Sequence, residues 1–334
     1  MSEKEVLLQL NGLKTYYPVA SSKLFAKKRY VHAVDGVDLT IYKGETLSLV
    51  GESGCGKSTI GKTILRLEDS TEGQMLLQGE DYTQYGYQKM RPLRPKMQMI
   101  FQDPYSSLNP RRTIGGIIDD VMKANGMDDP DERRTEMRRM FDLVGLASDA
   151  QFRYPHEFSG GQRQRISIVK ALVLKPELLI CDEAVSALDV SIQAQILNLL
   201  KEIQKELGLT YLFISHGLGP VKYVSDRVAV MYLGRIVELA ETRELFDHPL
   251  HFYTQALLSA YPIPDPRKRD VSRITLDGNV PNPIAPPAGC RFHTRCKHAC
   301  ERCSCEVPEL RELRPGHWVA CHLAEENLEK RCDV

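Results

Sequence analysis

No stretch of this chain approaches the roughly 18 to 20 consecutive apolar residues that a bilayer-spanning helix needs. Met1-Ser2-Glu3-Lys4 is not followed by the apolar core of a secretory signal. The expected location is therefore the cytoplasm or the cytoplasmic face of a membrane. An excess of one charge is also missing, because Lys+Arg and Asp+Glu balance at 44 each. Without a global basic field, nucleic acid is not an expected partner, and the clusters Lys27-Lys28-Arg29 and Arg111-Arg112 read as solvated surface. No solenoid repeat is visible. The 334 residues, 42% of them hydrophobic, suit one large α/β domain plus an appendage rather than a disordered chain.

Cysteine is scarce until the end of the chain. Only Cys55 and Cys181 precede the cluster Cys290, Cys296, Cys300, Cys303, Cys305, Cys321 and Cys332. In a reducing compartment such crowding reads as metal or iron–sulfur ligation before disulfides. Cys55 and Cys181 read as small residues packed in place.

Strand-like segments at Leu7–Leu10 and Val37–Ile41 flank a polar loop, and Lys43-Gly44 turns into the apolar run Thr46–Val50. Further strands are expected at Gln74–Leu77 and Met97–Phe101. From about 104 to 175 the periodicity is helical, carried by Ile114, Ile117, Ile118 and Val121 and then by Met137, Met140, Phe141 and Val144. This predicts a helical subdomain inserted in an α/β core. Leu178–Cys181 and Leu212–Ile214 are short apolar runs of the buried parallel kind, separated by the amphipathic segment Ser191–Leu207. Val228–Met231 and Arg235–Glu238 pair across Leu233-Gly234, and a helix is expected over His251–Ala260. Prolines at 262, 264 and 266, then at 281, 283, 286 and 287, mark a linker into a small module. The predicted boundaries are 1–260 for the α/β part and 261–334 for linker and Cys-rich tail.

Residues 51–58 read Gly-Glu-Ser-Gly-Cys-Gly-Lys-Ser between a strand and a helix, a complete G-x-x-x-x-G-K-[ST] phosphate loop. Its glycines let backbone N–H groups turn onto phosphate oxygens. Gly51, Ser53, Gly54, Cys55, Gly56, Lys57, Ser58 and Thr59 are the candidate ATP contacts, with Lys57 reaching the β/γ-phosphates and Ser58 on Mg²⁺. Leu178-Leu179-Ile180-Cys181-Asp182-Glu183 is an apolar strand ending in two carboxylates: Asp182 to hold Mg²⁺ and Glu183 to polarise the attacking water. Phe158-Ser159-Gly160-Gly161-Gln162 opens a helix running through Leu174, with Ser159 suited to capping and the glycines to close approach of an anion.

Ser159-Gly160-Gly161-Gln162 in this setting resembles the signature of ATP-binding-cassette ATPases, and the other motifs fall in that family's order. Gln102 in Phe101-Gln102-Asp103-Pro104 matches the Q-loop, Ser186-Ala187-Leu188-Asp189 the D-loop, and His216 the switch histidine. Tyr17, with Tyr16 as the alternative, matches the aromatic platform for adenine. The resemblance implies an α/β P-loop NTPase with a RecA-like core, an antiparallel β subdomain and an inserted helical subdomain. It also implies ATP sandwiched between two subunits, the signature of one on the phosphate loop of the other. Gln102 would sense the γ-phosphate and Mg²⁺, and His216 would contact the γ-phosphate and orient the water with Glu183.

The segments His248–Ala260 and Pro286–Phe292 resemble the ATPase subunits of oligopeptide and dipeptide importers, especially the second, F-type subunit. That implies a second, distinct ATPase chain, two membrane permeases and an extracytoplasmic substrate-binding protein as partners. In that family the tail can carry a four-cysteine [4Fe–4S] cluster, and Cys290, Cys296, Cys303 and Cys321 match its spacing. Zinc on the same thiolates is the rival. Related importers of nickel and glutathione share such a tail, so they remain an alternative, as does a soluble, non-transport cassette ATPase. A nucleotide-binding regulatory subunit with little turnover is a third reading.

Two positions depart from the family pattern: Ala184 stands where proline usually follows the catalytic glutamate, and Gly217 where aspartate usually follows the switch histidine. Losing a rigid residue and a nearby carboxylate loosens the positions of Glu183 and His216. The double substitution Ala184→Pro with Gly217→Asp is expected to raise steady-state ATP turnover, and equal rates for it and the natural chain would remove this account.

Overall fold

The structure, a computed structural model, describes residues 4–19, 28–103, 105, 107–260, 274–276 and 278–325. Lys27, Pro104, Cys332 and the first prolines of the expected linker lie outside the described residues. The chain divides into two units. One is built from Leu8–Thr40, Leu47–Thr83 and His216–Val334, the other from Met1–Leu7, Ile41–Thr46 and Gln84–Ser215.

The first part of the chain supplies β1 (Val6–Val19), β2 (Arg29–Tyr42), β3 (Thr46–Val50), α1 (Lys57–Ile64), β4 (Glu72–Leu77) and β5 (Glu80–Asp81). Four of these strands form a sheet in the order β2-β1-β4-β5, with Leu10 opposite Met75. β1 and β2 are each 14 residues long, well beyond the apolar cores legible in the sequence. In β1 the register shifts between Asn11 and Lys14, where Gly12 takes a φ of 57°. Such a bulge resets which residues face inward, so Leu13 and Thr15 are buried after Leu8 and Leu10, and the plain alternation is broken.

The middle of the chain forms the second unit: α2 (Tyr87–Met90), β6 (Met97–Ile100), α3 (Ile114–Ala124), α4 (Pro130–Leu143), α5 (Gly160–Leu172), β7 (Leu178–Asp182), α6 (Val190–Leu207) and β8 (Thr210–Ser215). β6, β7 and β8 run parallel, with Met97 opposite Leu178 and Leu178 opposite Thr210. Every residue of β7 and β8 is buried, as strands covered on both faces require. Three helices lie between β6 and β7. Thr113 caps α3 by accepting from the Gly116 amide, and Asp129 caps α4, whose first residue is Pro130. Their inward stripe is Ile114, Ile117, Ile118 and Met122, then Met137, Met140 and Phe141. Met122 takes the buried place expected of Val121, and α5 ends at Leu172 rather than Leu174.

The chain then returns to the first unit with α7 (Leu218–Val224), β9 (Arg227–Tyr232), β10 (Arg235–Glu241), α8 (Thr242–Asp247), α9 (Phe252–Ser259), α10 (Glu301–Cys305), β11 (Arg311–Arg314) and β12 (His317–Val319). β3 pairs parallel with β9, β9 and β10 form the expected hairpin across Leu233-Gly234, and β12 adds antiparallel to β10 with Glu238 opposite Val319. Neither tail strand was legible in the sequence, since Arg-Glu-Leu-Arg and His-Trp-Val carry no strong pattern. No helix among the described residues is long and apolar enough to cross a membrane.

A buried polar knot ties the tail to this sheet. Glu238, fully buried, accepts from the amides of Leu250 and His251 at 2.7 and 3.1 Å and faces His317 Nε2 at 2.7 Å. The other ring nitrogen of His317 meets Glu244, which also takes Arg314 at 2.8 Å. His251 caps α9 through its Nδ1, and burial pushes its pKa down to about 4, so the ring is neutral. Removing one member of a buried charged network leaves its partners unsatisfied, at roughly 3–5 kcal/mol. Trp318, the single tryptophan, lies on β12 opposite Leu239 and reports on this strand. Glu238→Ala is expected to lower the urea midpoint of the Trp318 emission transition by an amount equivalent to about 3 kcal/mol or more; an unchanged midpoint would show that the knot does not hold the strand.

Candidate functional site

In the first unit, the fully buried β3 delivers the chain into the phosphate loop, which closes on α1. Two glycines there are sterically obligatory. A Cβ on Gly51 (φ 153°) would lie 2.2 Å from the Met231 carbonyl oxygen, and one on Gly56 (φ 107°) 2.0 Å from that of Ala33. Gly54 also has a positive φ, of 78°, but open space around it. Lys57 is 5% exposed, and its Nζ donates to the carbonyls of Gly51 and Glu52 at 2.8 and 2.9 Å. The Lys57 side chain thus ties the end of the loop back to its first two residues. Burial pushes the Cys55 thiol up, against the opposing effect of Lys57, so this cysteine is a packed neutral residue as expected.

The two tyrosines of β1 separate by their partners. Tyr16 donates its hydroxyl to the Asp35 carboxylate, and its ring lies 4.3 Å from that of His32. Burial and that hydrogen bond raise the Tyr16 phenol, while the Asp35 carboxyl is held low despite its burial by Tyr16, Arg291 and Arg235. Burial pushes the Tyr17 phenol up, against an opposing effect of Thr59 in the first turn of α1. Two contacts of the loop were not anticipated. The Glu52 amide donates to the Tyr253 hydroxyl at 2.9 Å, and the Glu52 carboxylate receives Arg295 through two bonds of 2.8 and 3.2 Å. No nucleotide motif signals either partner, and arginine adjoins four of the tail cysteines (Arg291, Arg295, Arg302 and Arg331), so the sequence does not single out Arg295.

The second unit holds the remaining motifs apart from His216. Asp182 closes β7 and is 5% exposed. Glu183 follows with a φ of 50°, a left-handed conformation that costs a non-glycine residue about 1–2 kcal/mol. Its amide donates to Ile214 at 2.9 Å and its carbonyl takes the amide and hydroxyl of Ser186, so the backbone is pinned on both sides. Its carboxylate accepts from Gln102 Nε2 at 2.7 Å, placing the Q-loop glutamine directly on the candidate base. Ser159 and Gln162 form a reciprocal capping box on α5, at 3.4 and 3.0 Å. A Cβ on Gly161 would lie 2.6 Å from Ile192 Cγ2, in the helix that Asp189 caps at 3.0 Å. His216 follows β8 and begins the return into the first unit, and Gly217 stands at the N-cap of α7 without a side chain to cap it.

In the tail, Cys303 and Cys321 are buried, Cys290 and Cys296 half-buried, and Cys300 and Cys305 exposed. Burial raises the thiols of Cys290 to about 11 and Cys321 to about 12, and Cys290, Cys296 and Cys303 each push that of Cys321 further up. The Cys290 amide donates to the Cys303 carbonyl at 2.9 Å, and a Cβ on Gly289 would meet that same carbonyl at 2.5 Å. The donor chemistry of Cys290, Cys296, Cys303 and Cys321 fits a thiolate-held metal centre. Among the described residues, however, no three His, Cys, Asp or Glu side chains are closed to metal-ligand spacing.

The steric account of the loop has a direct test. Gly56→Ala is expected to weaken ADP binding at least tenfold in calorimetric titration. Gly79→Ala, with a similar φ of 83° but open space, should leave it unchanged. Equal affinities in the two variants would remove the close-approach argument.

Comparison with known proteins identifies the family. A family profile described as "ABC transporter" matches residues 34–186, and one described as "Oligopeptide/dipeptide transporter, C-terminal region" matches residues 237–303. The oligopeptide transport ATP-binding protein AppF of Bacillus subtilis is 52% identical over 326 residues, covering 96% of this chain and 98% of that protein. Among solved structures, CbiO1 of Clostridium perfringens, part of the ABC transporter complex cbiONQ, superposes with a TM-score of 0.63 at 27% identity, over 73% of this chain and 92% of that one. The ATP-binding cassette MJ0796, solved as a dimer bound to ADP and Pi, shares the fold with a TM-score of 0.62 at 24% identity, over 71% of this chain and 99% of that one. The chain belongs to the ATP-binding subunits of ABC transporters, with the P-loop NTPase fold of that family and the C-terminal region of its oligopeptide/dipeptide branch.

Proposed function

We propose that this chain binds and hydrolyses Mg²⁺·ATP to power uptake of oligopeptides or dipeptides through partner permeases. Lys57 and the amides of Gly51 and Ser53–Thr59 would hold the phosphates, Tyr17 would stack on adenine, and Ser58, Asp182 and Gln102 would hold Mg²⁺. Bound Mg²⁺ neutralises charge on the β- and γ-oxygens. Glu183 accepts the proton of the attacking water while His216 orients it. Ser159, Gly160, Gly161 and Gln162, followed by the Asp189 loop, face the γ-phosphate bound by a second ATPase chain, so turnover requires the pair.

One observation carries the coupling: Gln102 donates directly to the Glu183 carboxylate at 2.7 Å. A carboxylate engaged this way is a weaker acceptor for a water proton. Gln102 drawn onto bound nucleotide would release Glu183 and displace the Q-loop, which leads along the chain into α3–α5, in this reading the inserted helical subdomain that meets the permease. The antiparallel sheet around β1 is then the β subdomain, residues 1–260 the ATPase domain, and 261–334 the linker and Cys-rich module. The peptide assignment rests on identity with AppF along nearly the whole chain, tail included. In this reading the protein would lie on the cytoplasmic face of the membrane, as one half of an ATPase heterodimer under two permeases, with a substrate-binding protein on the far side. Cys290, Cys296, Cys303 and Cys321 would hold a [4Fe–4S] cluster, a reading supported by their number and sequence spacing.

Anaerobic purification with co-purifying chains tests the assembly and the tail together. A second cassette ATPase, permeases and about four irons per chain are expected; zinc in place of iron would reassign the metal, and a chain without membrane partners would overturn the transport role. In that assembly Glu183→Gln should cut ATP turnover by about 10² or more while nucleotide stays bound, and Lys57→Ala should weaken nucleotide binding itself. Normal transport by either variant contradicts the assigned roles.

A further inference from the structure

Two arginines of the tail, each next to a cysteine in the run Cys290-Arg291-Phe292-His293-Thr294-Arg295-Cys296, bear on the phosphate loop, Arg295 directly and Arg291 through its surroundings. Arg295, 9% exposed, forms the bidentate pair with Glu52, the second residue of the loop, and its Nη1 also lies 3.4 Å from the Tyr232 hydroxyl. Glu52 is fixed through its backbone as well, its amide on Tyr253 and its carbonyl on Lys57 Nζ. Arg291, 8% exposed, bonds the Asp35 carboxylate and the Leu233 carbonyl. The next residue, Gly234, donates to the Cys55 carbonyl inside the loop at 2.9 Å and accepts from the Asp35 amide at 2.9 Å. Both arginines are therefore spent on the loop's surroundings rather than on solvent.

A carboxylate in a loop built to receive a triphosphate is an electrostatic liability, because like charges at short range oppose binding. A guanidinium paired in fork geometry cancels that charge and fixes the side chain's direction in one contact. We propose that Arg295 is a positioning residue for ATP binding: it neutralises Glu52 and holds it away from the incoming phosphates, with Arg291 bracing the loop through Leu233-Gly234 and Cys55. The nucleotide affinity of the loop then depends on the tail being in place, although the tail contributes no group to the nucleotide. This inference rests on the reading of residues 51–59 as the nucleotide site.

ADP binding to the full-length chain, measured by calorimetry, separates this role from mere structural support. Arg295→Ala is expected to weaken ADP binding roughly tenfold, and Glu52→Gln introduced into that background is expected to recover most of the loss, because the uncompensated carboxylate is gone. Glu52→Gln alone, a near-isosteric change, should bind ADP at least as tightly as the natural chain. Arg295→Lys, which keeps the charge but not the fork, should lie between the natural chain and Arg295→Ala. Unchanged affinity in Arg295→Ala, a defect that Glu52→Gln does not relieve, or a tenfold loss in Glu52→Gln alone overturns the proposal. Lys57→Ala serves as reference. If it weakens ADP binding while Arg295→Ala does not, only this inference fails; if it too binds normally, the nucleotide-site reading fails first.

Discussion

The close approach of backbone to backbone around the phosphate loop is the constraint on which the first unit depends. Gly51 lies against the Met231 carbonyl and Gly56 against that of Ala33, each too near for any side chain. A loop wound this tightly directs its amides inward, where they form an anion site, but it leaves its own carbonyls in need of donors. Lys57 supplies two of those bonds and Gly234 a third, to Cys55. β2, the end of β9 and the Leu233-Gly234 turn are thus held in place by the loop as much as they hold it. The order of strands β10, β9 and β3 follows, since the turn must reach Cys55 while β9 runs parallel beside β3.

Around Glu183 the device is different. No glycine relieves its left-handed backbone; the bonds to Ile214 and Ser186 and the Gln102 amide on its carboxylate hold it instead. Strain of about 1–2 kcal/mol is sustained only where the surroundings over-determine the conformation. Ala184 is itself buried at 3% exposure, which gives the residue after Glu183 little room to move even without a proline ring. Gly217, a residue without a side chain, stands at the N-cap of α7, where an aspartate could have capped the helix.

Most of this was legible in the sequence because chemistry and periodicity coincided. The phosphate loop, the two carboxylates after β7, the capping serine of α5 and the β9–β10 hairpin were each marked by residue types whose local geometry is nearly obligatory. The extents of β1 and β2 were not, because the bulge at Gly12 breaks the alternation on which strand reading rests. β11 and β12 were missed since their burial is set by β10, far away in sequence. The Gln102–Glu183 bond was foreseen only as two separate roles. Arg295 and Arg291 were invisible for a physical reason: an arginine's sequence neighbours say nothing about which distant carboxylate it will meet.

That invisibility says what kind of attachment the tail makes. Its apolar cluster is small, Leu250, Val319, Cys321 and Ala324 with Phe252, Leu313 and Leu323 beside it. Against it stand a buried carboxylate shared by two amides and a histidine, and two arginines seated on Asp35 and Glu52. Apolar burial is tolerant of sliding, because the gain depends on area and not direction. Buried hydrogen-bonded charges are not, since a shift of an ångström or two leaves a donor or carboxylate unpaired at a cost comparable to the whole contact. A tail held chiefly by apolar contacts would add stability without specifying its place. One held by directed polar bonds takes a single position, and two of those bonds end at the rim of the phosphate loop.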